Sequence, residues 1–255
     1  MADDLNIPSN KPEVKSEIKF LSGPQSRWKG LGFSIKVLFE FIKGFRALHF
    51  VGPCVTIFGS ARFKSGHPYY EQTVALSGKI AELGFTIMTG GGPGIMEAAN
   101  KGAKDVGGRS VGCNIVLPME QTPNRYLDKW VNIKYFFVRK TLLIKYSYAF
   151  IVMPGGYGTL DEYFEALTLI QTRKISEFPI VIFNREFHKD LIEHVEKMKL
   201  SGTISETDPN LFLVTDSVDE AVAYIQKNSI IKYNLQPERP RRLKWLFENR
   251  WNAKR

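Results

Sequence analysis

The feature that most constrains the fold is a regular alternation of short apolar runs and helical patterns between residues 54 and 228. The apolar runs are nearly continuous, which is typical of parallel strands buried on both faces by helices. The alternation occurs about seven times, and a closed eight-fold barrel would usually need more residues. We therefore predict an open, doubly wound, Rossmann-like parallel sheet of about seven strands. The predicted strands are CVTIFGS, FTIMTGGG, RSVGCNIVLP, WVNIKYFF, YAFIVMP, FPIVIFN and LFLVTD.

The composition is sufficient for one full hydrophobic core, because 44% of the residues are hydrophobic and 13% are aromatic. Cys54 and Cys113 both lie inside apolar runs and have no CxxC or His-rich neighbourhood. This predicts buried free thiols in a reducing compartment, with neither a zinc site nor a disulfide framework.

Residues 27–50 are predicted to form an amphipathic helix that packs on the core or on a partner subunit. Lys36, Glu40, Lys43 and Arg46 recur at three- and four-residue spacing, so a spanning helix would bury four charges. A helix lying on a membrane surface remains as an alternative. The polar opening segment, residues 1–26, lacks the basic-then-apolar order of a secretory signal, and we expect a cytoplasmic protein.

The formal net charge of +9 is concentrated at the end of the chain. The predicted tail, residues 233–255, has seven Lys/Arg against two Asp/Glu, whereas the α/β domain, residues 51–232, is close to neutral. Such a tail is able to contact phosphate backbones or anionic lipid, or to be a solvated end or an oligomer arm. No recognised nucleic-acid-binding module accompanies it, so we do not expect nucleic acid as a partner.

Three of the predicted strands end in glycine-containing turns, FGSARF (58–63), TGGGPGIME (89–97) and PGGYGTLDE (154–162). Glycine lets backbone N–H groups approach a ligand closely, and a helix that starts directly afterwards favours an anion. The turns lack the Lys-Ser/Thr of a Walker A loop and the spacing of GxGxxG. The pattern therefore favours a mononucleotide or sugar phosphate over a dinucleotide, and it requires neither a metal nor a redox cofactor.

The charged residues beside these turns have two possible interpretations, one structural and one functional. Thr159 and Glu162 have the spacing of a capping box, but Glu162 would also be well placed to face a sugar ring. Arg139 and Lys140 begin the next predicted helix upstream, where cations oppose the helix dipole unless an anionic ligand or Glu162 compensates them. The alternative is that both are ordinary solvated cations.

Other polar residues carry weaker signals. Asn124 and Arg125 lie in a predicted loop, and whether that loop reaches the glycine-turn edge of the sheet depends on the strand order. His67 and His188 have no ligand-like spacing, and we expect surface or capping roles for them.

Three of these motifs resemble those of the LONELY GUY family, the cytokinin-activating phosphoribohydrolases long labelled as lysine decarboxylases. PGGYGTLDE resembles the family's PGGxGTxxE signature, GGGPGIMEAA (90–99) its second glycine turn, and VRKTLLIKYS (138–147) its Arg-Lys helix. The resemblance extends over about residues 51–228, with FGSARF and NIVLPMEQTPNRYLD (114–128) similar to the longer bacterial members.

The resemblance implies hydrolysis of the N-glycosidic bond of a nucleoside 5′-monophosphate, AMP or an N6-modified AMP, in a homo-oligomer with the active site near a subunit interface. It assigns Glu162 and Arg139 as the catalytic pair. A non-catalytic nucleotide- or cofactor-binding protein on the same scaffold is the alternative. The predicted substrate-binding residues are Gly59, Ser60, Gly91, Gly92, Gly94, Met96, Glu97, Lys140, Gly155, Gly156, Gly158 and Thr159.

Overall fold

The computed structural model describes residues 23–24, 26–117, 122–175 and 178–231. The predicted basic tail, residues 233–255, lies outside the described residues, as does most of the segment 1–26. Seven parallel strands form one sheet, in the order β4-β3-β2-β1-β5-β6-β7. The strands are β1 Cys54–Phe58, β2 Thr86–Thr89, β3 Ser110–Ile115, β4 Lys129–Ile133, β5 Ser147–Val152, β6 Ile180–Phe183 and β7 Phe212–Thr215.

Of the helices in the described ranges, one precedes the sheet, five lie between its strands and one follows the last strand, so the predicted open parallel α/β sheet is confirmed. The helices are α1 Arg27–Leu48, α2 Pro68–Glu82, α3 Ile95–Asp105, α4 Phe136–Tyr146, α5 Tyr157–Gln171, α6 Lys189–Leu200 and α7 Val218–Ile225. A 3₁₀ turn, Asp208–Leu211, precedes β7, and a π-helical turn, Gln226–Ile231, follows α7.

The strand order places a crevice beside the middle of the sheet. The chain moves outwards from β1 to β4, then returns to form β5 against the free edge of β1, with Phe58 opposite Val152. Ligands of open parallel sheets bind outside the carboxyl ends of the strands at such a reversal point. The turns after β1, β2 and β5 therefore meet at the position where a ligand is expected.

The two faces of the sheet bury separate hydrophobic clusters. One contains Phe58 and Phe150 together with residues of α4 and α5, and α1 packs against its edge. The other contains Ile57 and Ile151 with residues of α2, α3 and α7. Alternate strand residues enter opposite clusters, which explains the continuously apolar strand sequences.

Helix α1 packs on the sheet through one face. Phe33, Val37 and Phe41 contact the core cluster, and Glu40 is buried, where its Oε2 accepts a hydrogen bond from the Lys134 N–H at 3.1 Å. Within the described part of the chain, no helix combines the length and apolarity needed to cross a bilayer. The cytoplasmic compartment stays a prediction.

Two predicted element boundaries were wrong. The run WVNIKYFF was assigned to one strand, but β4 ends at Ile133 and α4 already begins at Phe136. The helix expected to start at Thr159 begins at Tyr157. Gly84 follows the end of α2 with φ +96°, and its N–H donates to the Ala81 carbonyl at 2.9 Å.

Candidate active site

Hydrogen bonds between backbones tie the three turns together. The Ser60 N–H donates to the Pro154 carbonyl at 3.0 Å, and the Ile95 N–H donates to the Ser60 carbonyl at 2.9 Å. The turn after β1 is thus bonded to the turn after β5 on one side and to the turn after β2 on the other. This places the three segments singled out in the sequence around one site.

A cavity of about 740 Å³ opens between these turns and α4. This volume lies within the range typical of small-molecule sites. The predicted site residues that line it are Gly59, Ser60, Met96, Arg139, Gly155, Gly156, Gly158, Thr159 and Glu162.

Glu162 is the buried acid of the cavity. It lies in the second turn of α5, is only 4% exposed, and its Oε2 has no hydrogen-bond partner among the described residues. Burial raises the pKa of Glu162 to about 7, against the opposing influence of Arg139 and Lys140. A carboxylic acid with this pKa is able to exchange a proton near neutral pH.

Arg139 lies across the turn after β2. Its Nε donates a hydrogen bond to the Cys113 carbonyl on β3 at 2.9 Å, which fixes the guanidinium at the wall of the cavity. A Cβ at Gly90 would lie only 2.4 Å from Arg139 Nη2. The bare backbone at Gly90 therefore makes room for the arginine side chain, a role that the glycine count alone did not identify.

Lys140 is directed away from the cavity lining. Its Nζ pairs with Glu165 at 2.8 Å and with Asp161 at 3.0 Å. Partial burial lowers the pKa of Lys140, but hydrogen bonds with Glu165 and Asp161 outweigh this and keep the pKa above its usual range. Its predicted contact with substrate stays a prediction.

The capping-box reading of Thr159 and Glu162 is wrong. The N-cap of α5 is Gly156, and no side chain caps the helix. Thr159 lies three residues inside, with its hydroxyl above Gly155, where an added Cβ would come within 2.2 Å of Oγ1. Because α5 begins before Thr159, Glu162 has no capping role and is free to face the cavity.

The remaining predicted binding residues of the second turn lie outside the cavity lining. Gly91 has φ +77° and packs beside Asn114 and Leu127, and the Gly92 carbonyl accepts a hydrogen bond from Asn124 Nδ2 at 3.0 Å.

The other two predicted residues of this segment also make contacts within the protein. Gly94 packs against the backbone of the turn after β1, and Glu97 accepts a hydrogen bond from Tyr70 at 3.4 Å. Their predicted contacts with substrate remain untested.

Sequence reasoning missed several residues that line the cavity. Arg62 is exposed there, and its side chain forms no hydrogen bond or ion pair with another described residue. It lies two residues after Ser60 in the turn FGSARF, and this position beside a predicted anion-binding turn is the sequence signal that could have identified it. The apolar lining residues are Phe58, Phe63, Ile115, Leu117, Phe136, Leu160 and Phe187, and Ala61, Gly90 and Tyr157 complete the wall.

Other predictions from the sequence have mixed outcomes. His67 is confirmed as a cap, because its Nδ1 accepts from the Tyr69 N–H at 3.2 Å. His188 is not on the surface, since it is 2% exposed and burial lowers its pKa. It occupies the N-cap position of α6, but its side chain makes no capping hydrogen bond. Cys54 and Cys113 are buried free thiols, as expected. In the described ranges, no group of three or more acidic, His or Cys side chains is arranged to hold a metal ion.

A family model described as "Possible lysine decarboxylase" matches residues 96–225, a little over half of the chain. The chain therefore belongs to this family, in agreement with the resemblance of its motifs to the LONELY GUY family. The match includes α4 with Arg139 and α5 with Glu162.

Two relatives of this chain are named as phosphoribohydrolases. The cytokinin riboside 5′-monophosphate phosphoribohydrolase of Rhodococcoides fascians is 26% identical over 178 residues, covering 68% of this chain and 88% of that protein. The enzyme of the same name from Mycobacterium tuberculosis is 31% identical over 157 residues, covering 60% of this chain and 82% of that protein.

Solved structures with the same fold include two molybdenum cofactor proteins. The molybdenum cofactor binding protein of Rippkaea orientalis aligns with TM-score 0.51 at 22% identity, covering 69% of this chain and 94% of that one. The molybdenum cofactor carrier protein of Chlamydomonas reinhardtii aligns with TM-score 0.51 at 21% identity, covering 69% and 98%. At this identity the likeness establishes the fold alone.

Proposed function

We propose that this chain hydrolyses the N-glycosidic bond of a nucleoside 5′-monophosphate, AMP or an N6-modified AMP, to a free base and ribose 5-phosphate. The observation that carries the proposal is the buried Glu162 carboxyl group in a cavity whose wall includes the glycine turn Gly155–Gly158. The family membership and the names of the relatives support hydrolase activity.

The phosphate is assigned to the N-terminus of α5. The first backbone bonds of this helix run from the N–H groups of Thr159 and Leu160 to the Gly156 carbonyl. The amides of Tyr157 and Gly158 precede these bonds and have no intrahelical acceptor. Together with the helix dipole, they form an anion site for the 5′-phosphate.

Glu162 acts on the ribose in this mechanism. Departure of the base leaves positive charge on the anomeric carbon and ring oxygen, which a nearby carboxylate stabilises. The same group orients or deprotonates the attacking water, and a pKa of about 7 suits that proton transfer. Arg139, fixed by the Cys113 carbonyl, favours the ionised form of Glu162 and stands within reach of an anionic substrate.

The decarboxylase description in the family model has a different requirement. Pyridoxal-dependent decarboxylation needs a lysine that forms a Schiff base with the cofactor. Among the described residues that line the cavity, none is a lysine, and Lys140 is engaged with Glu165 and Asp161. This lining suits glycosidic hydrolysis better.

Glu162→Gln tests the proposal. We expect base release to fall by at least about a hundredfold, the scale of a lost acid–base group, while the nucleotide still binds. Base release is measured by chromatography of incubations with AMP, GMP, IMP, CMP and N6-isopentenyl-AMP. Asp161→Asn is the matched control, since Asp161 is the adjacent carboxylate on α5 and lies outside the cavity lining.

Near-normal turnover in Glu162→Gln would contradict the proposed role of the acid. Tight nucleotide binding with no base released by the unmodified protein would instead establish the non-catalytic binding protein. The homo-oligomer expected from the family resemblance stays a prediction, which analytical ultracentrifugation would test.

A further inference from the structure

Helix α1 has a second apolar face that the protein core does not cover. Its outward side chains are between 38% and 82% exposed, although its inner face is packed on the core. At 100° per residue the outward residues fall within an arc of about 120°. They are Trp28, Leu31, Ile35, Leu38, Phe39, Ile42 and Phe45.

A stripe of this kind requires an explanation. Single exposed apolar residues are ordinary, but a contiguous apolar patch on a protein surface marks an interaction site. The stripe runs along a helix of 22 residues that precedes the α/β domain. No residue of this helix lines the cavity of the candidate active site.

The exposed charges of α1 are all positive. Lys29, Lys36 and Lys43 recur every seven residues and form a row along one edge of the apolar stripe, and Arg27 and Arg46 are also exposed. Glu40 is the one acidic residue of this helix, and it is buried against β4 and α4. Lys43 pairs with Glu40 at 3.6 Å, whereas Lys29 and Lys36 form no ion pair with a described residue. The exposed surface of α1 therefore combines an apolar stripe with exposed cations and no exposed anion.

We propose that the outward face of α1 binds an anionic phospholipid surface, with the helix axis parallel to the membrane. Aromatic and leucine side chains on one face, flanked by lysines, are the composition of helices that lie in the membrane interface. Anionic headgroups supply a counter-charge for Lys29 and Lys36, and the acyl boundary accepts the apolar stripe.

A second copy of this helix is a poorer partner. Packed antiparallel on the same face, two α1 helices would bring their lysine rows together. Packed parallel, each lysine row would meet the flank that carries Arg27 and Ser34, which has no carboxylate. Like charges at such an edge oppose association, so charge complementarity favours lipid over self-association.

Vesicle flotation of the full chain tests the proposal. We expect at least about tenfold more protein to float with vesicles containing phosphatidylglycerol than with pure phosphatidylcholine, and less at high salt because the headgroup attraction is screened. Leu31→Asn combined with Leu38→Asn should abolish flotation, as should Lys29→Glu combined with Lys36→Glu. Leu200→Asn, at an 80% exposed apolar residue ending α6, is the matched control and should float like the unmodified chain.

Several outcomes would overturn the proposal. The first is equal flotation with neutral and anionic vesicles. The second is unchanged flotation of both double variants, which would assign lipid binding to the tail 233–255. The third is an oligomer that the Leu31/Leu38 variant dissociates without a change in flotation, which would assign the face to a second copy. Circular dichroism checks that the variants fold, and the charge variant keeps the test decisive if the apolar one does not.

Discussion

The two glycine-rich turns that open α3 and α5 look alike in sequence but serve different purposes. In the turn after β5, Gly155, Gly156 and Gly158 all line the cavity, and a Cβ at Gly156 or Gly158 would meet nothing within 4 Å. In the turn after β2, a Cβ at Gly94 would lie 2.4 Å from the Ser60 carbonyl oxygen. The first turn leaves space for a ligand, and the second packs backbone against backbone.

The polar residues around each turn follow the same division. Beside the turn after β2, Asn124 donates to the Gly92 carbonyl and to Asn100, and the Gly91 N–H donates to Thr89. Beside the turn after β5, Glu162 is buried with an unpartnered oxygen. Asn100 Nδ2 and Asn114 Oδ1, beside the turn after β2, are also buried without a partner among the described residues, so the two turns differ in the kind of unpartnered group. Those groups are neutral amides, whereas Glu162 is a buried acid, and it lies where we propose chemistry.

The largest expected effect is on the stability of Gly94→Ala. Gly94 has φ +70° and ψ −130°, a conformation that L side chains rarely adopt, and its new Cβ would collide with the backbone of the turn after β1. We expect a loss of at least about 4 kcal/mol in the free energy of unfolding. Chemical denaturation measures it.

Gly107→Ala is the control for Gly94→Ala. Gly107 also has positive φ, +72°, but a Cβ there would meet nothing within 4 Å. Gly107→Ala should lose only about 1 kcal/mol of the free energy of unfolding, because conformational strain is the one penalty. If the two variants lost equal stability, the close packing of Gly94 would not be the reason for its glycine.

The fold was largely predictable because the physical signals for it are local. Buried parallel strands are continuously apolar and the helices are periodic, so their number and order along the chain could be read directly. The strand order could not be read, because it depends on contacts between residues far apart in sequence. Phe187 lines the cavity only because β6 lies beside β5, which no local pattern indicates.

The candidate site could be predicted only in part, because local sequence patterns do not show which glycines face a ligand. Gly156 and Gly94 look the same in the sequence, although Gly156 permits a ligand to approach and Gly94 permits contact between two backbone segments. Sequence alone therefore could not separate them. The role of Thr159 depended on where α5 begins, and helix starts are poorly determined when glycine precedes them.

The second prediction concerns the stability of Glu162→Gln. Burial holds the pKa of Glu162 at about 7, well above that of an exposed glutamate, so the native state keeps a proton that the unfolded state has lost. The free energy of unfolding therefore falls as the pH rises from about 4.5 to 7. Above that range Glu162 is ionised in both states, and the full penalty of burying its charge is reached. Glutamine mimics the protonated acid, so the variant should gain up to about 3 kcal/mol at alkaline pH and almost nothing near pH 4.

Denaturation of Glu162→Gln across this pH range measures the difference. Glu82→Gln, at an exposed carboxylate near the end of α2, controls for the loss of one negative charge. A variant equally less stable at every pH would contradict the unfavourable burial of Glu162. It would also remove the contrast between a stabilising turn after β2 and a costly acid beside the turn after β5.

The smallest expected effect, on Gly156→Ala, tests the ligand-facing turn directly. Gly156 has φ −103° and ψ −155°, an extended conformation that alanine adopts, so stability should change by less than about 1 kcal/mol. The added methyl group lies in the proposed phosphate site, and we expect kcat/KM for the nucleotide to fall about tenfold, mainly through KM. Gly32→Ala on α1, where a Cβ also meets nothing within 4 Å, is the control and should leave kcat/KM unchanged. Unaltered kinetics in Gly156→Ala would place the phosphate away from the N-terminus of α5, and the open space at this turn would then need another explanation.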